Sequence, residues 1–223
     1  MKKSNRNFIN CKPILSDVDD LLWFEPREIA DQFVPQILTP EDQEKYGVEY
    51  YYGMFVELHA FICGLIRKKR PSKILEVGVH RGGSSVVLLQ AIKSLGLEAK
   101  LYSVDINPNL PAAISPENVE KWVPHLIENW TLRYGRDVAA YLEEIGDEID
   151  FCVIDTAHCM PGEVLNFLCI LPYLKNGATV VIDDQLIPFK LISDFPLETL
   201  GRARIKETGA SSMISCKVLL DCV

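Results

Sequence analysis

From Pro71 onward, short apolar runs alternate with segments of helical period, and nearly every apolar run ends on a carboxylate. The runs "KILEVGV" (73–79), "KLYSVDI" (100–106), "WTLRYG" (130–135), "IDFCVID" (149–155) and "ATVVIDD" (178–184) read as strands. Between them "SSVVLLQAIKSLG" (84–96), "DVAAYLEEIG" (137–146) and "GEVLNFLCILPYLKNG" (162–177) read as helices, the first stopped by Gly96. Near-continuously apolar strands separated by helices predict a parallel sheet covered on both faces. The tail "RARIKETGASSMISCKVLLDC" (202–222) instead reads as two strands joined by a Gly-Ala-Ser turn. The expected architecture is a doubly wound α/β fold. Its mostly parallel sheet has seven strands, helices on both faces and a C-terminal antiparallel hairpin.

The 223 residues are expected to form one domain, with 1–55 as an irregular N-terminal cap and 56–223 as the core. The apolar stretch "MFVELHAFICGLI" closes on "RKKR" (67–70), where cations complement a helix C-terminus. A net charge of −8 argues against a nucleic-acid partner, which needs a basic face. No apolar run approaches the roughly 18 residues that span a bilayer, and "MKKSNRNFIN" has no apolar stretch behind its basic start. No membrane association and a cytoplasmic location are therefore expected. The seven cysteines include no C-x-x-C pair and mostly sit in apolar runs, as small buried hydrophobes in a reducing compartment do.

In doubly wound sheets ligands bind beyond the carboxyl ends of the strands, where strand order reverses. "EVGVHRGGSS" (76–85) is a strand, a glycine turn and a helix start. Gly78, Gly82 and Gly83 let the backbone bend and approach a ligand, and Ser84 or Ser85 can cap the following helix. A dinucleotide turn would need glycine at position 80, which is His80, so a pyrophosphate has less room here. Asp105 ends the next strand, placed to take the hydroxyls of a ribose.

With these residues the chain resembles the class I S-adenosylmethionine-dependent methyltransferases, whose fold is Rossmann-like. Their first motif, E-x-G-x-x-x-G, is matched by "EVGVHRG" and their acidic second motif by "YSVDINP", the likeness covering roughly residues 55 to 223. The resemblance implies S-adenosylmethionine (SAM) as cofactor. It would set Glu76, Gly78 and Gly82 near the methionine end, Ser84 near its carboxylate and Asp105 on the ribose. "GRD" (135–137) would hold the adenine through Arg136 and Asp137. Asp137 is equally suited to cap the helix that follows, and both roles are compatible.

Asp155, Asp183 and Asp184 end two strands that neighbour each other in such a fold. At about 4 Å and an effective dielectric near 20, each like-charge pair costs about 4 kcal/mol. A cation between them would relieve this, and an all-oxygen set suits Mg²⁺ first, with Ca²⁺ or Mn²⁺ as alternatives. If instead Asp183 and Asp184 point to opposite faces of the strand, one of them merely caps a turn. Methyl transfer to oxygen needs an activated hydroxyl, and His158, three residues after Asp155, is placed to act as general base.

Catechol and caffeoyl-coenzyme A O-methyltransferases carry D-x-x-K and D-N at these places, whereas this chain has "DTAH" and "DDQ". That pattern is similar to the macrocin and mycinamicin sugar O-methyltransferases and their cephalosporin-hydroxylase-like relatives. The likeness implies a Mg²⁺-dependent O-methyltransferase acting on a small polyhydroxylated acceptor, a sugar or secondary metabolite, and working as a homodimer through the cap. The alternatives are a catechol or phenol acceptor, for which "YYYG" (50–53) could stack a ring, and an inactive cofactor-binding protein.

Overall fold

The computed structural model describes residues 56–80, 82–109, 128–156, 161–183, 197–204 and 212–218. The N-terminal segment read as a cap lies outside them, as do "YYYG", His158 and Asp184. Helix α1 (Val56–Lys69) ends in Arg67, Lys68 and Lys69, at the pole where positive charge is favoured. Strand β1 (Lys73–Val77) follows Pro71, and α2 spans Gly83–Ser94. Gly96, at φ +58°, closes α2 with Gly96 N–H on Lys93 O and Leu97 N–H on Ile92 O, the paired bonds of a Schellman end. Strands β2 (Lys100–Asp105) and β3 (Trp130–Tyr134) complete one half of the sheet.

The segment 137–146 departs from the single helix expected there. It forms a 3₁₀ turn, Val138–Ala140, and a four-residue helix α3, Leu142–Ile145. Val138, Leu142 and Ile145 are buried at helical spacing, and the break falls at Tyr141, between the 3₁₀ turn and the helix. Strand β4 (Ile149–Ile154) leads to α4 (Gly162–Ile170). That helix ends eight residues before Ala178, where the strand was expected to start. A 3₁₀ turn at Leu171–Tyr173 carries Pro172, which has no N–H to continue the ladder, and β5 (Leu174–Asp183) begins at once.

The sheet order is β3-β2-β1-β4-β5-β7-β6. Strands β1 to β5 run parallel, with Ile74 opposite Leu101 and Phe151. Strand β7 (Ser212–Val218) is antiparallel to β5, and β6 (Leu197–Arg204) is antiparallel to β7. β6 thus starts ahead of Arg202, where the tail strand was expected to begin. The Gly-Ala-Ser segment (209–211) lies outside the described residues.

Side chains alternate between two cores. Ile74, Phe151, Val153 and Val181 pack with α1 and α2, while Leu75, Val77, Cys152, Ile154, Val180 and Ile182 pack with α3 and α4. This period-two division of apolar strands gives both layers of helices a face to cover. Burial pushes the Cys63 thiol up to about 12 and the Cys152 thiol higher still, as expected of inert core thiols. Among the described residues no helix is long and apolar enough to cross a membrane.

Candidate cofactor and active site

Strand order reverses between β1 and β4, so their carboxyl ends flank the crevice where doubly wound sheets bind ligands. Gly78 and Asp155 meet there. Gly78 has φ +92°, and a Cβ on it would fall 1.6 Å from the Asp155 carbonyl oxygen. Gly78 N–H donates to Val104 O at 2.9 Å, and Asp155 N–H donates to Val77 O at 2.8 Å. The glycine is therefore required first by the close passage of β4's end.

Asp105 reaches across from β2 to the same turn. Its Oδ2 accepts from the amides of Val79 and His80, both at 2.9 Å, and its Oδ1 from Asn107 N–H at 2.8 Å. His80 sits at φ +49°, a left-handed conformation costly for a residue with a Cβ. Two consecutive amides converging on one anion form a nest, the arrangement that elsewhere receives phosphate. Here the chain's own carboxylate fills it. A phosphate approaching these amides would meet Asp105, whereas a ribose hydroxyl would find a carboxylate with acceptor capacity left.

Beneath the turn Glu76 is fully buried. Its Oε1 accepts from Ser84 Oγ at 2.5 Å, and its Oε2 from Ser85 Oγ at 2.6 Å and Ser103 Oγ at 2.5 Å. Trp130 Nε1 donates to Ser103 Oγ at 2.9 Å. The serines do not cap α2 as expected from sequence. They lie inside its first turn, and Gly82, at φ +83°, takes the cap position without a side-chain bond. Burial raises the Glu76 pKa above the ordinary carboxylate value; the three serine bonds oppose this and nearby Asp105 adds to it.

A pH dependence follows from that shift. Folded Glu76 holds its proton more tightly than the unfolded chain does. Its stabilising contribution is therefore complete below the ordinary carboxylate range and is lost as pH rises through the raised value. Glu76→Gln cannot ionise, so its stability relative to the wild type should improve with rising pH across that window. Denaturant unfolding of both proteins at a series of pH values checks this, and a pH-independent difference would contradict it.

Around the rim, Asp137 Oδ1 accepts from Ala139 N–H at 3.0 Å, the N-cap role that the sequence allowed, and Arg136 is exposed. Gly135 N–H donates to Asp105 O at 2.9 Å, which brings the Gly135–Asp137 turn beside the end of β2. Ile106 was not singled out from the sequence. It directly follows Asp105 and is 68% exposed, an apolar surface open at the mouth. The available signal was an isoleucine just past a strand-ending carboxylate.

Asp155 is half-buried and Asp183 buried. They lie one step beyond the Ile154–Ile182 pair of neighbouring strands, so the sheet brings two of the three expected metal carboxylates to adjoining strand ends. Asp184 and His158 lie outside the described residues, and among the described residues no group of three His, Cys, Asp or Glu side chains gathers to hold a metal. Thr156 Oγ1 donates to buried Glu163 Oε1 at 3.2 Å, tying the end of β4 to the first turn of α4.

The stretch from β1 to just past β5 is also what relates the chain to known proteins. Residues 75–185 match the family described as Methyltransferase domain. The match takes in every described candidate residue from Glu76 to Asp183. No curated protein matches the chain. Among solved structures, the methyltransferase fold is shared with an O-methyltransferase from Bacillus cereus in complex with S-adenosylhomocysteine (SAH). The two are 15% identical with a TM-score of 0.65, over 84% of this chain and 90% of that one. The O-methyltransferase TomG from Streptomyces achromogenes, involved in tomaymycin synthesis and solved in complex with SAM, is 16% identical. Its TM-score is 0.61, over 87% of this chain and 90% of that one. At such identities the likeness is one of fold.

Proposed function

We propose that this methyltransferase domain transfers a methyl group from SAM to a hydroxyl of a small polyhydroxylated acceptor. One observation carries the choice of cofactor: the Val79 and His80 amides at the switch point are already held by Asp105. Such a mouth suits a nucleoside without phosphates, and its negative charge suits a sulfonium. Asp105 takes a ribose hydroxyl, Ile106 offers a face to the adenine, and Arg136 and Asp137 border the base. The methionine carboxylate is received at the start of α2, where the Gly83 and Ser84 amides stand in the first turn of the helix, the Gly82 amide being held by Val79 O.

In the transfer, a lone pair of the acceptor oxygen attacks the methyl carbon and the carbon–sulfur bond breaks toward sulfur, leaving neutral SAH. His158 takes the hydroxyl proton at a ring nitrogen. Asp155 and Asp183 at adjoining strand ends, with Asp184 next in sequence, are the oxygen donors that would hold Mg²⁺, or Ca²⁺ or Mn²⁺ in its place. When bound, such an ion lowers the pKa of the acceptor hydroxyl.

Turnover of labelled SAM against sugars, nucleotide sugars and catechols, with and without Mg²⁺, tests this reading. Asp155→Ala and chelator should each reduce turnover by about 100-fold or more. Activity indifferent to both would remove the metal. His158→Ala should lose about 100-fold and flatten the rise in rate between about pH 6 and pH 9. Full turnover by that variant would remove the base. Preference for catechols over sugars would move the acceptor to the phenolic class, and SAM binding with no turnover on any acceptor would favour an inactive binder.

A further inference from the structure

The expectation from family resemblance puts Glu76 at the methionine end of the cofactor, but its surroundings point elsewhere. Along β1, Ile74 packs with α1 and α2 while Leu75 and Val77 face the opposite core. Strand parity therefore turns Glu76 sideways under α2, away from the mouth. It is fully buried, and Ser103, its register partner on β2, is fully buried too.

The Trp130 indole can only donate, so Ser103 Oγ accepts from it and turns its own proton to Glu76 Oε2. Ser84 and Ser85 bring the first turn of α2 onto the same carboxylate. The Gly78–His80 turn leaves β1 two residues after Glu76, and the chain re-enters regular structure at Gly83. One carboxylate thus fastens the strand before the turn and the helix after it to each other and to β2. Two residues beyond Ser103, Asp105 holds the amides of Val79 and His80.

We propose that Glu76 is a positioning residue that never touches the cofactor: through Ser84, Ser85 and Ser103 it fixes the Gly78–His80 turn against Asp105, and so shapes the whole nucleoside site. This rests on the SAM reading of the site. A direct ligand to the methionine amine would affect only cofactors that carry the amine. An anchor of the turn affects every ligand held by Asp105, because the turn and Asp105 share bonds.

The test compares SAH with 5′-methylthioadenosine, which keeps the adenosine and thioether and lacks the amino-acid portion. Calorimetry with Glu76→Ala and Ser103→Ala should show affinity falling about tenfold or more for both ligands, by the same factor within about threefold. Glu76→Gln should lose less than Glu76→Ala for both, because the amide keeps the same shape, with its oxygen toward Ser85 and Ser103 and its nitrogen toward a reversed Ser84 hydroxyl. A loss confined to SAH, or equal losses for Gln and Ala, would make Glu76 a direct charged ligand and overturn the proposal.

Amide hydrogen exchange of the ligand-free protein supplies the independent arm. Glu76→Gln and Ser103→Ala should speed exchange at Val79 and His80 while β4 and β5 stay protected, and unchanged exchange at those two amides would overturn the anchor. If the wild type binds neither ligand, the SAM reading falls, and the exchange measurement still decides the anchoring role.

Discussion

Gly78→Ala is expected to be severely destabilising. The new Cβ would lie 1.6 Å from Asp155 O and 2.6 Å from Asp155 C, both backbone atoms that no side-chain rotation can move aside. At φ +92° the residue also sits where a Cβ is penalised. Overpacking and left-handed strain together cost roughly 2–5 kcal/mol, set against a typical domain stability of about 5–15 kcal/mol. The denaturant midpoint should fall accordingly, or the variant should fail to accumulate as folded protein. In any fraction that folds, β4's end must shift, and Asp155 with it. Affinity for SAH should then drop alongside stability. An Ala variant with a wild-type midpoint would show that the β1 and β4 ends do not pass this closely.

Asp105→Ala should separate stability from binding in the opposite proportion. It removes the acceptor of three amides, those of Val79, His80 and Asn107, of which only Val79 belongs to a buried residue. His80 and Asn107 can turn to water, so the stability loss should be modest, roughly 1–3 kcal/mol. On the proposed SAM reading binding loses more, because the site would lose both its ribose acceptor and the clamp that holds His80 at φ +49°. An affinity loss of about 100-fold or more for SAH is expected. Asp105→Asn makes the informative control. Its single carbonyl oxygen can keep the Val79 and His80 amides while its NH₂ meets the Asn107 N–H, so it should retain the turn and bind with intermediate affinity. If Asn and Ala variants bound SAH as tightly as the wild type, Asp105 would have no part in the site.

Much of this site was legible because strand ends are written locally. An apolar run that stops on a carboxylate is visible in the sequence, and Asp105, Asp155 and Asp183 stand at the ends of β2, β4 and β5 as that pattern required. Strand parity was readable too: "KILEV" places Ile74 and Glu76 on one face, and "YSVD" places a small hydroxyl in the strand that pairs with it. What sequence did not supply was the partner of each group. Glycine at position 78 signalled a turn, but the reason for it is a carbonyl 77 residues away. Ser84 and Ser85 carried the composition of a helix cap, and tertiary burial against Glu76 overrode that local preference. The segment 137–146 kept its apolar spacing and nonetheless divides at Tyr141 into a 3₁₀ turn and a short helix, a break that spacing alone does not signal.

In the proposed function the crevice between β1 and β4 receives SAM through a turn clamped by Asp105. Calorimetric titration of the wild-type protein with SAM tests it most directly, with NADH as the phosphate-bearing comparison. One site per chain for SAM, lost in Asp105→Ala, and no heat with NADH is the result expected. Binding of NADH in preference to SAM, or no binding of SAM at all, would contradict it.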